Sequence, residues 1–310
     1  MLGYIRKKIK EKIKGFIIKI IRDELEKQGD TYFQIFTQMN EFRNASEDML
    51  SSKVEAETNI SDLVKRFEKL KITVKKIEID IKDFEKWSKE YFEIMNFYKS
   101  SEDVRIEKTL EHYLTMKYLP LNPEDIYIDV AALESPFADI VRKHLKNKTY
   151  KQDLVYEAGI HGNKIGGDAG RMPVSANFAD VMTLHCAYEC FQGDSDIRFI
   201  KEASRVMRDG GRLGIVPLYI DNVYFVKTGP KYDKRKVKVE KEARWVWRDD
   251  KWDKEPFSRH YSPESFKARI IDNIDGLDFE ILHFSNLKEI EDYHRGQKIY
   301  CHFMFKAVKK

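Results

Sequence analysis

The sequence predicts an α/β fold, a mostly parallel sheet layered with helices, preceded by one long N-terminal helix. Three observations carry this. No proline precedes Pro120 and no glycine lies between Gly29 and Gly159, whereas both recur at ordinary loop frequency afterwards; a stretch without these breakers reads as helix. From Asp125 onward, short apolar runs alternate with amphipathic stretches, the pattern of βαβ units. Between them, apolar residues spaced three and four apart form one unbroken register. At 310 residues the chain has room for one large domain and an appendage.

Residues 1–28 read as a basic amphipathic helix. At about 100° per residue, Leu2, Ile5, Ile9, Ile13, Phe16, Ile17 and Ile20 share one face. Most of Arg6, Lys7, Lys8, Lys10, Lys12, Lys14 and Lys19 fall on the flanks and back. This pattern suits a helix lying in the interface of an anionic membrane; the alternative is a helix packing on an oligomer partner. It is neither a signal peptide nor a span, because no apolar run approaches the ~20 residues that a bilayer crossing requires.

Residues 29–118 read as a coiled coil. Its register runs from Tyr32 through Met39, Leu63, Phe67, Ile77, Ile81, Phe84 and Tyr91 to Tyr98, interrupted by the polar Ser46, Lys53 and Ser88. One isolated helix cannot bury such a stripe, so a homo-oligomer is expected. Isoleucine at both core positions allows a trimer, and Lys53 at a core position leans towards a dimer. The helix would be a spacer on the order of 100 Å long.

Charge and cysteine usage narrow the setting. Fifty-six basic residues against 52 acidic ones give a net +4, a solvated surface of both signs and not a dedicated nucleic-acid binder. The three cysteines form no disulfide framework, which fits a cytoplasmic protein, peripheral at the inner face of the membrane. Cys186 and Cys190 lack a second Cys/His pair at zinc spacing, so no metal is expected.

Residues 119–310 carry the alternating pattern. Ile126–Val130 reads as a buried strand, Pro136–Leu145 as its helix and Lys148–Asp153 as a second strand. Ala179–Glu189 contains a third. Asp196–Tyr219 reads as helix, Gly-Gly turn and strand, and Leu277–Phe284 and Lys298–Val308 as a late hairpin. A strand ending in an acid, then a short loop and a helix, is the opening of a Rossmann-type nucleotide fold, but the loop "AALES" has no glycine.

Three blocks make the resemblance specific. "FIKEASRVMRDGGRLGIVPL", "GDAGRMPVSANFADVMTLHCAYE" and "HYSPESFKARI" occur in that order. Together they resemble class I S-adenosylmethionine-dependent methyltransferases, and the layout of membrane-binding helix, coiled-coil spacer and such a domain resembles glycan-modifying ones that carry a coiled coil. The resemblance implies a Rossmann-like, seven-stranded methyltransferase sheet and S-adenosyl-L-methionine as cofactor. By position, Asp129 would orient the cofactor loop, and Asp153, 153 − 129 = 24 residues later, would hold the ribose hydroxyls. Asp168 and Ala169 would flank the adenine. His185 would lie near the methionine moiety or the acceptor.

In that family the loop carries three glycines; here Ala131, Leu133 and Ser135 stand in their places. Ala131 preserves close approach, and Ser135 can cap the following helix or bind the amino-acid carboxylate. Leu133 is the departure. A side chain filling the cofactor crevice would make the protein a non-catalytic scaffold; one pointing into the core would leave an enzyme.

His185 and Glu189 are the candidate catalytic bases for O-methylation, with His161 and His260 as further options. An insertion between Pro217 and Pro263 places Trp245, Trp247 and Trp252 among lysines and arginines. That mix suits sugar and phosphate recognition; a charged hairpin with buried tryptophans is the plainer alternative. Two functions follow. One is a membrane-associated methyltransferase acting on a glycan or lipid-linked polysaccharide. The other is an oligomeric scaffold whose methyltransferase-like domain binds a glycan-synthesis enzyme.

Overall fold

A computed structural model describes residues 59–101, 104–229, 232, 239–247 and 257–310, with Ile20, Glu24 and Gln28 as isolated helical residues. The expected membrane-surface helix, the coiled-coil register before Asn59, and Trp252 lie outside the described residues.

The coiled coil does not continue through residues 60–118. Helix α1 (Ile60–Lys69) is capped by the Asn59 side chain and buries Leu63 and Phe67. It stops because Lys71 takes φ +60°. The Lys71 N–H then bonds the Glu68 carbonyl and the Ile72 N–H the Phe67 carbonyl, a Schellman stop built without glycine. Strand β1 (Val74–Ile77) follows, then α2 (Ile81–Glu90), α3 (Phe92–Phe97) and α4 (Arg105–Tyr118). The three-four apolar spacing is real, but these residues face the domain's own core, with Phe84 and Tyr91 buried there.

Beyond these lie β2 (Ile126–Val130), α5 (Phe137–Leu145), β3 (Lys148–His161), β4 (Lys164–Gly166), β5 (Ala179–His185), α6 (Ser195–Val206) and β6 (Met207–Val216). The insertion supplies β7 (Phe225–Thr228), β8 (Arg244–Trp247) and β9 (Phe257–His260). The chain closes with α7 (Pro263–Arg269), β10 (Leu277–Phe284), α8 (Leu287–Tyr293) and β11 (Phe303–Lys309).

The main sheet has eight strands where seven were expected, in the order β1-β10-β11-β6-β5-β2-β3-β4. The extra strand is β1, from the segment read as coiled coil; it lies parallel to β10, with Val74 opposite Ile281. Neighbours are parallel from β4 to β6, and β11 is antiparallel to both β6 and β10. Helices cover both faces. Leu63, Phe199 and Phe266 mark one core, and Phe84, Tyr113, Phe137 and Ile290 the other. Chain order reverses between β2 and β5, and the crevice outside the carboxyl ends of such a strand pair is where doubly wound sheets bind ligands.

β3 and β4 are parallel, yet no helix joins them. β3 runs past Asp153, folds back over Ala158–His161 and pairs with β4 a second time. The crossing is so close that a Cβ on Gly166 would lie 1.9 Å from the Glu157 carbonyl oxygen. The fold-back leaves Leu154, Val155 and Ile160 exposed.

Candidate functional site

The site lies at the carboxyl ends of β2 and β5. Asp129, 1 % exposed, ends β2. Its Oδ1 lies 3.2 Å from Nδ1 of His185 at the end of β5. An ionised carboxylate only accepts, so the proton is assigned to Nδ1 and the Nε2 lone pair accepts from the Thr115 hydroxyl at 2.9 Å. Phe137 and His112 pack edge-on against the imidazole, at 5.0 and 4.4 Å between ring centroids. Asp129 Oδ2 is buried without a hydrogen-bond partner.

The loop after β2 keeps the glycine conformation without glycines. Ala131 has φ +52° and Leu133 φ +43°, a region that costs an ordinary residue about 1–2 kcal/mol. Hydrogen bonds hold it there. The Ala131 N–H donates to Gln152 Oε1 (3.3 Å) and the Leu133 N–H to Asp153 Oδ2 (2.8 Å). The Tyr156 hydroxyl donates to the Leu133 carbonyl. The Leu133 side chain is 55 % exposed and so does not point into the core. Ser135 Oγ accepts from the Phe137 N–H at 3.3 Å, a cap on α5.

Asp153 is nearly buried, and its second oxygen accepts from the Val155 N–H at 3.1 Å. It therefore fastens the loop; each oxygen keeps a further lone pair. Asp168 faces α6. Its Oδ1 accepts from the Gly170 N–H at 2.8 Å and its Oδ2 pairs with Arg198. Partial burial pushes this carboxyl up, but Arg198 and the Gly170 amide outweigh it, and the net pKa is lowered. Ala169 is buried in the core beside it. Gln152 links the two regions, donating to the Gly167 carbonyl at 2.6 Å.

Glu189 sits in a 3₁₀ turn after β5 and accepts from the Cys186 thiol at 3.2 Å. Cys186 itself has φ +48°, a third strained residue at the crevice. Burial pushes its thiol well above the usual range. Of the other histidines, His161 is half exposed near Glu157. His260 pairs with Asp221 at 2.8 Å and packs on the Tyr219 ring at 4.8 Å.

Sequence reasoning missed α4. It lies beneath this site and is buried almost all round, with Glu107 and Glu111 wholly inside. Burial and the charge of Glu111 raise the Glu107 pKa, and burial raises that of Glu111. Burial holds His112 well below the usual imidazole range. The acids stand among the lysines and glutamates of a charged segment, so no residue type set them apart.

The insertion forms a three-stranded sheet, β8-β7-β9, in place of a simple hairpin. Trp245 is half-buried and donates to Thr228 Oγ1 at 2.6 Å. The fully buried Arg259 anchors the insertion through Asp196 (2.9 Å) and Glu240 (2.7 Å).

No protein-family model and no curated protein matches the sequence. Among solved structures, an S-adenosylmethionine-dependent methyltransferase from Mesorhizobium loti is 12 % identical, with 64 % of this chain and 98 % of that one covered, at a TM-score of 0.43. One from Methanosarcina mazei is 14 % identical over 63 % and 96 %, at 0.38. The YcgJ protein of Bacillus subtilis is 14 % identical over 64 % and 98 %, at 0.39. These are distant likenesses, and the reading of the site rests on its own geometry.

Proposed function

We propose that the chain is an S-adenosylmethionine-dependent methyltransferase that methylates a hydroxyl of a glycan or lipid-linked polysaccharide at a membrane surface. One observation carries the reading. At the reversal of strand order, Asp129, a loop held in glycine-like conformation and Asp153 meet around one crevice. The residues fit the cofactor in two respects. Asp153 has lone pairs left for ribose hydroxyls, and Asp129 Oδ2 is a buried acceptor awaiting a donor. The cofactor would supply an electrophilic methyl group. Asp129 fixes the imidazole of His185, whose Nε2 would take the acceptor's proton once that hydroxyl replaces Thr115. Glu189 lies beyond Cys186, whose thiol donates to it. Asp168 and Ala169 would border the adenine through their backbone turn, since Arg198 already occupies the carboxylate.

A specific observation favours the second reading, a non-catalytic scaffold. The N–H groups of Ala131, Ala132, Leu133 and Ser135 are all satisfied inside the protein, leaving few loop amides for a ligand. Thermal unfolding separates the two. S-adenosylhomocysteine at about a hundred times its dissociation constant adds roughly 2.7 kcal/mol, or a rise on the order of 5–10 °C; a scaffold shows no rise. Membrane attachment has its own test. Flotation with anionic vesicles is expected for the full chain and not for one starting at Tyr32. Equal flotation would remove the role of residues 1–28.

A further inference from the structure

Helix α4 buries more polar chemistry than its packing satisfies. Glu107 Oε2 accepts from the N–H groups of Tyr300 (3.0 Å) and Cys301 (3.4 Å), and Glu111 Oε1 from Lys108 (2.8 Å). The other oxygen of each glutamate is buried with no partner among the described residues, and so is Nδ1 of His112. Native interiors rarely leave such groups alone. Three buried polar atoms of one helix thus want hydrogen-bond partners. Beside it the rings of Tyr219 and Tyr300 stack at 6.1 Å, with 19° between their planes. The Lys108 ammonium lies 5.9 Å from the Tyr300 centroid. Lys108 keeps some solvent exposure and both tyrosines are half-buried, so solvent reaches the rim of the cluster, while the two glutamates stay wholly buried behind it.

We propose that this cluster is the acceptor subsite and takes a sugar ring, whose hydroxyls hydrogen-bond with Glu107 Oε1 and Glu111 Oε2 while its apolar face packs on the tyrosines. The inference rests on the methyltransferase reading and names the substrate class of that site. A sugar supplies several O–H donors in fixed directions. A cationic amine meets the Lys108 charge, and an apolar ligand leaves the carboxylates unpaired.

The test is saturation-transfer NMR on the full chain, with and without S-adenosylhomocysteine. The probes are the methyl α-glycosides of glucose, galactose, mannose and N-acetylglucosamine, with spermidine as the amine. Transfer to at least one glycoside is expected. It should fall at least fivefold in the E107Q/E111Q double variant and in Tyr300→Leu, while affinity for S-adenosylhomocysteine stays within twofold. Should the double variant not fold, Tyr300→Leu decides. Absence of glycoside transfer, equal transfer in the variants, or transfer to spermidine alone overturns the proposal; orphaned oxygens served only by water give the first of these results. Failure of S-adenosylhomocysteine to bind, with the glycosides behaving as expected, defeats the cofactor reading and leaves the sugar subsite standing.

Discussion

Leu133 shows how one residue separates conformation from composition. A glycine in this loop permits positive φ and close approach, and the chain keeps the first without the residue that makes it cheap. Hydrogen bonds to Asp153 and Gln152, and from the Tyr156 hydroxyl, fasten the turn instead. Replacing Ala131 or Leu133 by glycine is therefore expected to stabilise the protein by about 1 kcal/mol each, the relief of left-handed strain less the added freedom of the unfolded chain. Urea unfolding measures it; a loss of stability of that size at both positions would mean the loop is not strained. Arg259 lies at the other extreme. Its guanidinium is fully buried between Asp196 and Glu240. Arg259→Met leaves the two acids to share Arg269, with Tyr261 on Asp196 and Tyr224 on Glu240. A cost near 3 kcal/mol is expected, the lower end of the range for a broken buried pair, read from the same unfolding curves.

At the level of elements, local signals were legible and non-local ones were not. The strand Ile126–Val130 and the helix after Pro136 fall where apolar run, acid and proline place them. Gly210 and Gly211, expected in a turn before the strand, lie within β6, where φ +75° at Gly210 accompanies the register shift between Ala179–Met207 and Val181–Arg212. The end of α1 was hidden because Lys71, a residue that ordinarily continues a helix, takes the left-handed position. β1 was hidden because its partner β10 is some two hundred residues away and its spacing mimics a heptad. In the candidate site, Asp129, Asp153 and His185 were legible as strand-end residues. Thr115, Glu107 and Glu111 were not, because charge in a lysine- and glutamate-rich helix looks solvated. Helix α1 is fastened by Arg66 to Glu264 at the start of α7. The Arg66 hydrogen bond holds the Glu264 carboxyl down at about 2. A lowered carboxylate pKa gives stability above the unfolded value, near 4.3, that is lost as pH falls towards 2. Amide protection in α1, corrected for the intrinsic pH dependence of exchange, should fall over that window, and Glu264→Gln should remove the fall; an unchanged fall in the variant would assign it elsewhere.

For the whole molecule, the segment expected to be a spacer is instead part of the body. Residues 60–118 supply an edge strand, a layer of helices and the underside of the crevice. This places α4 where it can take part in the site, and it confines any coiled coil to the chain before Asn59. Among the described residues no helix is long and apolar enough to cross a membrane; the proposed attachment rests on the sequence pattern of residues 1–28. The central claim is that the crevice binds cofactor through Asp153. Calorimetric titration of the full chain with S-adenosylhomocysteine, repeated with Asp153→Ala and Asp168→Ala, tests it most directly. Micromolar binding is expected in the unaltered chain, lost with Asp153→Ala and weakened much less with Asp168→Ala, whose carboxylate already serves Arg198. Absence of binding by the folded, unaltered chain would contradict the claim and make the protein a scaffold.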